Sequence, residues 1–275
     1  MMRKSKKSFF TLLEVLVSMG VFMLLMLALM QFFSAAQGVW SRTGSKTSLY
    51  DSARIVMEVM ANDLACAYYE PDHGSDFLFF KIDQSDPKQV VFAAQTEAGN
   101  AEIFYKYDDA NWKLHRIEKK EEDQDFSSDV TWFTRSGKDW IADLDSIAAE
   151  DSNCVAENIL DFSVKAYKKN NLAAAVSISS SATDKFPDVV IISMTLLADD
   201  VYETLKNRFK AENIPDADVP GKIKALYTSI TTALDNNTSP QETDNTKNED
   251  SKEVILYNGC LRLSRIITLD RGQNN

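Results

Sequence analysis

The apolar positions change period along the chain, and each change marks an element. From Phe10 to Phe33 almost every residue is Phe, Leu, Val, Met or Ala. Such a run predicts a helix that is apolar on all sides, and a bilayer core needs about 20 residues of this kind. Glu14 is its one charge. From residue 34 to 70 the pattern becomes amphipathic. Leu49, Ala53, Val56, Met60, Leu64 and Ala67 recur at three- and four-residue intervals, while Arg54, Glu58 and Asp63 take other positions. That is the period of one helix face. Proline is absent from Phe9 to Glu70, and Gly38 and Gly44 are the points where the two helical segments would bend or loosen. Glu70-Pro71-Asp72-His73-Gly74 then ends the helix.

Strand-like runs follow at Phe77–Ile82, Gln89–Gln95, Ala101–Tyr107 and Trp112–Ile117, rich in Phe, Val, Ile and Tyr. The short link Asp108–Asn111 suits a hairpin, so these runs predict an antiparallel meander and not alternating βαβ units. Lys119 to Asp129 is a charged loop, after which Trp132, Trp140 and Ile141 return to the core or cap it. In Val155–Tyr167 a short turn leads into an alternating strand with Phe162, Val164 and Ala166 facing inward, and a second strand follows Pro187 through Val189–Leu196. Asp199–Asn213 predicts a helix through Val201, Leu205 and Phe209. Pro215 to Pro220 breaks it, and Lys222–Leu234 predicts another. Asn236–Lys252 is polar enough to expect a mobile segment. Glu253–Tyr257 and Cys260–Leu269 predict one or two closing strands, which makes 199–252 an insertion into the sheet and not a separate domain.

The fold class expected is therefore α+β: a long N-terminal helix on an antiparallel β head. Its divisions are a leader (1–9), an apolar helix (10–33), an amphipathic helix (34–70), a β head (71–198), the insertion and the closing strands (253–275).

Charge sets the topology. The chain carries a net charge of -11, yet its leader holds Arg3, Lys4, Lys6 and Lys7. A basic flank before an apolar span is retained in the cytoplasm, which places the acidic body outside the inner membrane. An acidic body argues against nucleic acid as a partner, because phosphate binding needs a basic patch. A secretory signal peptide is the competing reading of the N-terminus, with Ser34-Ala35-Ala36 as its cut site. Its apolar region is ordinarily shorter, about 7–15 residues.

Candidate chemistry is sparse. The two histidines, His73 and His115, lie in no metal-binding spacing. There is no G-x-S-x-G elbow, P-loop or dinucleotide fingerprint. Asp143-Leu144-Asp145-Ser146 and Glu150-Asp151 lack the Gly and the terminal Glu of a calcium loop, so they read as solvated acids. Cys66, Cys154 and Cys260 show no C-x-x-C pair; they allow one disulfide and a spare thiol, or buried thiols throughout. The aromatic runs Phe77–Phe80 and Phe104–Tyr107 line a ligand groove or, more simply, fill a sheet core. No catalytic residue, metal or cofactor is expected, and the chain reads as a non-enzyme.

Phe10-Thr11-Leu12-Leu13-Glu14-Val15 resembles the N-terminal signature of type IV pilins and type II secretion pseudopilins. The resemblance implies that a prepilin peptidase cuts between Phe9 and Phe10, that Phe10 becomes a methylated N-terminus, and that Glu14 is the assembly carboxylate. In that family the carboxylate meets the terminal amine of a neighbouring subunit. The family places Gly, Ala or Ser before the cut, where this chain has Phe9; a cut after Ser8 would restore a small residue and make Glu14 the sixth of the mature chain.

Val155–Tyr167 and Phe186–Leu196 resemble phrases of minor pilins of the pseudopilin J and PilW type, and the chain is similar to the prepilin-like Verru_Chthon cassette proteins, type C. These resemblances imply one continuous spine from Phe10 to Tyr68, its first half in lipid and its second against the head. They imply other pilin or pseudopilin subunits, the prepilin peptidase and the inner membrane as partners. The expected function is a minor structural subunit of a type II secretion pseudopilus or type IV pilus-like filament. The alternative is a single-pass anchored binding or enzymatic domain outside the inner membrane that joins no filament.

Overall fold

The computed structural model describes residues 12–69, 79–96, 99–120, 151–178, 186–235 and 251–269. The chain divides into two units, one ending at Thr47 and one running from Ser48. Helix α1 is assigned continuously over Leu12–Ala65 and crosses that border. A proline-free run of Leu, Met and Ala favours it, and Gly20, Gly38 and Gly44 lie within it without interrupting the helix. Its short polar side chains turn back on the helix. Ser18 Oγ donates to the Val15 carbonyl at 2.8 Å, and Thr43 and Thr47 donate to the carbonyls of Val39 and Thr43.

In the second unit, α1 buries one face, through Ala53, Val56, Met57, Met60, Ala61 and Leu64. This is the face expected from the helical period. It packs in one core with two antiparallel sheets. The first sheet has the order β1 (Phe80–Lys81), β2 (Gln89–Thr96), β3 (Gly99–Asp108), β4 (Lys113–Lys120), β5 (Cys154–Ala156). That is the expected meander, with β3 and β4 joined by the expected hairpin. Cross-strand pairs Val90–Tyr105 and Phe92–Ile103 place their side chains on one face by the two-residue period.

The second sheet is β6 (Ile159–Tyr167), β7 (Val189–Leu197) and β8 (Cys260–Thr268), with β7 central. Phe162, Val164 and Ala166 face the shared core, as expected, beside Val190, Ile192, Met194 and Leu196. A bulge between Ile159 and Asp161 breaks the alternation, and Leu160 joins a second, smaller core.

The insertion builds that second core. Helices α2 (Asp199–Ala211), α3 (Val219–Asp235) and α4 (Lys252–Gly259) contribute Leu205, Phe209, Ile223, Tyr227 and Leu256, packed with Trp112 and Leu197. Asn213, at φ 62°, ends α2, and the Ile214 N–H donates to the Phe209 carbonyl at 3.1 Å.

The expected break over Pro215–Pro220 is present: α2 ends at Ala211, a 3-10 turn follows at Asp216–Asp218, and α3 opens at Val219 with Pro220 in its first turn, where a missing N–H costs nothing. One expectation is corrected here. Glu253–Tyr257 is helix and not strand. Ser251 caps α4, its side chain accepting from the Val254 N–H at 3.3 Å. Among the described residues the closing strand is β8 alone. The turn after Glu70, Trp132, Trp140, Ile141, the acidic run 143–150 and the polar segment 236–250 lie outside the described residues.

Candidate membrane-anchoring and assembly segment

In the first unit the segment that stands out is Leu12–Trp40, 29 residues of α1 long and apolar enough to cross a membrane, none of them buried. A helix that is apolar all round belongs in a protein core or a bilayer. Leu16, Met23, Leu25, Leu27 and Phe33 are all more than half exposed. The span runs past Phe33, where the apolar period was expected to change, and ends at Trp40, an aromatic suited to the interface between lipid and water. Ser18 keeps its hydroxyl satisfied inside the helix, as a hydrocarbon environment demands.

Glu14 lies exposed in the first described turn of α1, one turn before Ser18. A carboxylate there is favoured by the partial positive charge of a helix N-terminus and disfavoured by lipid. Phe9 and Phe10, the expected cleavage and methylation positions, lie outside the described residues.

In the second unit, α1 presents a further apolar pair to the outside: Ile55 and Val59, one turn apart, are 61% and 38% exposed. One turn beyond Val59, α1 carries at Asp63 an ionic cluster that the sequence pattern does not announce. Arg116 of β4 reaches Asp63 of α1 with Nε at 2.7 Å and a second nitrogen at 3.1 Å, and Glu118 at 3.0 Å. The Tyr105 hydroxyl also donates to Asp63. The Asp63 carboxylate beside it raises the pKa of the Arg116 guanidinium, and burial raises that of the Tyr105 phenol. This cluster ties helix to sheet.

The other candidates resolve into structure. Phe79, Phe80, Phe104, Tyr105 and Tyr107 are buried in the shared core, and Phe77 and Leu78 lie outside the described residues. His115 is a buried residue of β4, and His73 lies outside the described residues. Cys66, Cys154 and Cys260 are free thiols. Burial pushes the Cys260 thiol up to about 12, which keeps it protonated and unreactive. Among the described residues no group of three or more His, Cys, Asp or Glu side chains could hold a metal ion.

Comparison with known proteins adds no relative: no family model, curated protein or solved structure matches the chain.

Proposed function

We propose that this chain is a minor pilin- or pseudopilin-like structural subunit, held in the inner membrane by α1 and assembled through that helix into a type II secretion pseudopilus or type IV pilus-like filament. The observation that carries the reading is the 29-residue apolar, unburied stretch Leu12–Trp40 with Glu14 at its start. Lipid is as apolar as leucine, so helices in it associate through packing and polar pairing. Glu14 supplies the polar partner, and the amine of a processed neighbour would neutralise it. The basic leader holds the N-terminus in the cytoplasm, and the acidic head lies on the far side. In the second unit, the exposed pair Ile55 and Val59 offers a further apolar contact.

Two measurements test the proposal. Glu14→Ala should leave membrane insertion intact and lower co-purification with filament subunits; incorporation equal to the unaltered chain counts against it. Mass spectrometry should find a mature chain beginning at methylated Phe10, or at Phe9 if the cut follows Ser8. A chain beginning at Met1 and never found with a second subunit points to the alternative, a tethered domain outside any filament.

A further inference from the structure

A cavity of about 380 Å³ lies between α3, α4 and the outer face of the three-stranded sheet. Ligand sites commonly span about 300–1,000 Å³. Its polar end is built by sheet register. Thr195 of β7 and Arg262 of β8 are direct cross-strand partners, so their side chains stand side by side on the face away from the main core. Tyr227 of α3 closes over them. Its hydroxyl donates to Thr195 Oγ1 at 3.0 Å and accepts from an Arg262 terminal nitrogen at 3.2 Å. The apolar end is formed by Ile230, Leu234 and Leu256. The Cys260 thiol, kept protonated by burial, lines the cavity without offering a nucleophile.

The donors outnumber the acceptors. A guanidinium has five N–H groups; one goes to Tyr227, and Arg262 forms no other hydrogen bond and no ion pair among the described residues. Tyr227 spends its own hydrogen on Thr195, which leaves the Thr195 hydroxyl hydrogen to give. Asp161, the cross-strand neighbour of Thr195 on β6, and Asp235 at the end of α3 act on Arg262 only through space. Arg262 is exposed, so an anionic head can reach it from solvent, while Thr195 is buried and meets only what enters the cavity.

From this juxtaposition we propose that the cavity binds a small organic monocarboxylate with a short branched apolar chain. The carboxylate accepts from Arg262 and Thr195, and the chain lies among Ile230, Leu234 and Leu256. Arg forks match carboxylates in geometry as well as charge. The proposal is independent of filament assembly.

The test uses the full chain in lipid nanodiscs and ligand-observed saturation-transfer NMR, with empty nanodiscs as background. The probe is 4-methylpentanoate; 4-methylpentanamide removes its charge and acetate removes its chain. The expected result is saturable binding of 4-methylpentanoate, with both controls weaker by about tenfold or more. Arg262→Gln should bring the acid to the level of the amide. Equal binding of acid and amide, or no saturable binding of the acid to the unaltered chain, overturns the proposal without recourse to any variant. A preference for the acid that survives Arg262→Gln overturns it as well.

Discussion

Asp63 receives both arms of the Arg116 guanidinium, at 2.7 and 3.1 Å, although 53 residues separate them. One belongs to the last turns of α1 and the other to β4. Both side chains are largely withdrawn from water, with 16% and 22% exposed. A forked pair in such a place is stronger than a surface ion pair. It also gives α1 a fixed orientation on the sheet.

Asp63→Ala should therefore destabilise the head by about 1.5–3 kcal/mol, the range for hydrogen bonds to charged groups. The measurement is denaturant unfolding of the full chain in micelles, followed by tryptophan fluorescence. A double-mutant cycle with Arg116→Ala should give a favourable coupling; additive losses would mean the pair contributes nothing beyond its separate packing.

Gly259 ends α4 against Val201 of α2. A Cβ added there would stand 2.4 Å from Val201 Cγ2 and 2.8 Å from Val201 Cβ. Valine is stiff at χ1 and cannot swing aside freely. Gly259→Ala should cost about 1–3 kcal/mol through overpacking. Adding Val201→Ala should recover part of that loss, read as a partial return of the melting temperature.

Burial raises the ionisation of Tyr105, Tyr107 and Tyr227 above the ordinary tyrosine value of 10.0, and that of Cys260 from 9.0 to about 12. Each group has a higher pKa folded than unfolded. The stability this represents is fully present below the unfolded value and is lost as pH rises through the folded one. The melting temperature should hold level up to about pH 9, begin to fall as the Cys260 window opens, and fall more steeply beyond pH 10. Tyr105→Phe should make the alkaline fall shallower; an unchanged slope would remove Tyr105 as a cause.

Leu24 and Leu25 lie near the middle of the Leu12–Trp40 span, both more than half exposed. Replacing both with Arg places two charges at a depth where each costs about 2.5–3.5 kcal/mol. The double variant should move from the membrane pellet to the soluble fraction on alkaline carbonate extraction. Retention in the pellet would argue that something other than this span holds the chain there.

What could be read in the sequence was what repeats with a fixed period. Ala53, Val56, Met60 and Leu64 announced the buried face of α1, and Phe162, Val164 and Ala166 that of β6. Both faces follow from apolar residues recurring at the spacing of their own element. Glu253–Tyr257 misled because a short apolar run without alternation fits strand and helix alike; the deciding signal was Ser251, a cap three residues ahead of Val254. The Asp63–Arg116 pair carries no periodic signature, since it depends on the register of β3 against β4 and on the rotation of α1. The same holds for the cavity: Thr195, Tyr227 and Arg262 come from three elements and meet only because β8 lies against β7. Glu14 was visible for a different reason, as the one charge in an apolar run.

The placement of β8 has a consequence for how the molecule is made. The central strand β7 gains its second neighbour only after three helices have been synthesised and the final stretch has emerged. Until then the nascent head carries an open, strongly apolar strand edge, the kind of surface that invites wrong pairings. A ribosome that stops just short of Cys260 would release a polypeptide possessing its long apolar helix and most of its hydrophobic interior but lacking the strand that completes the second sheet. Quality control should meet such a product as a defect of completion, not of composition.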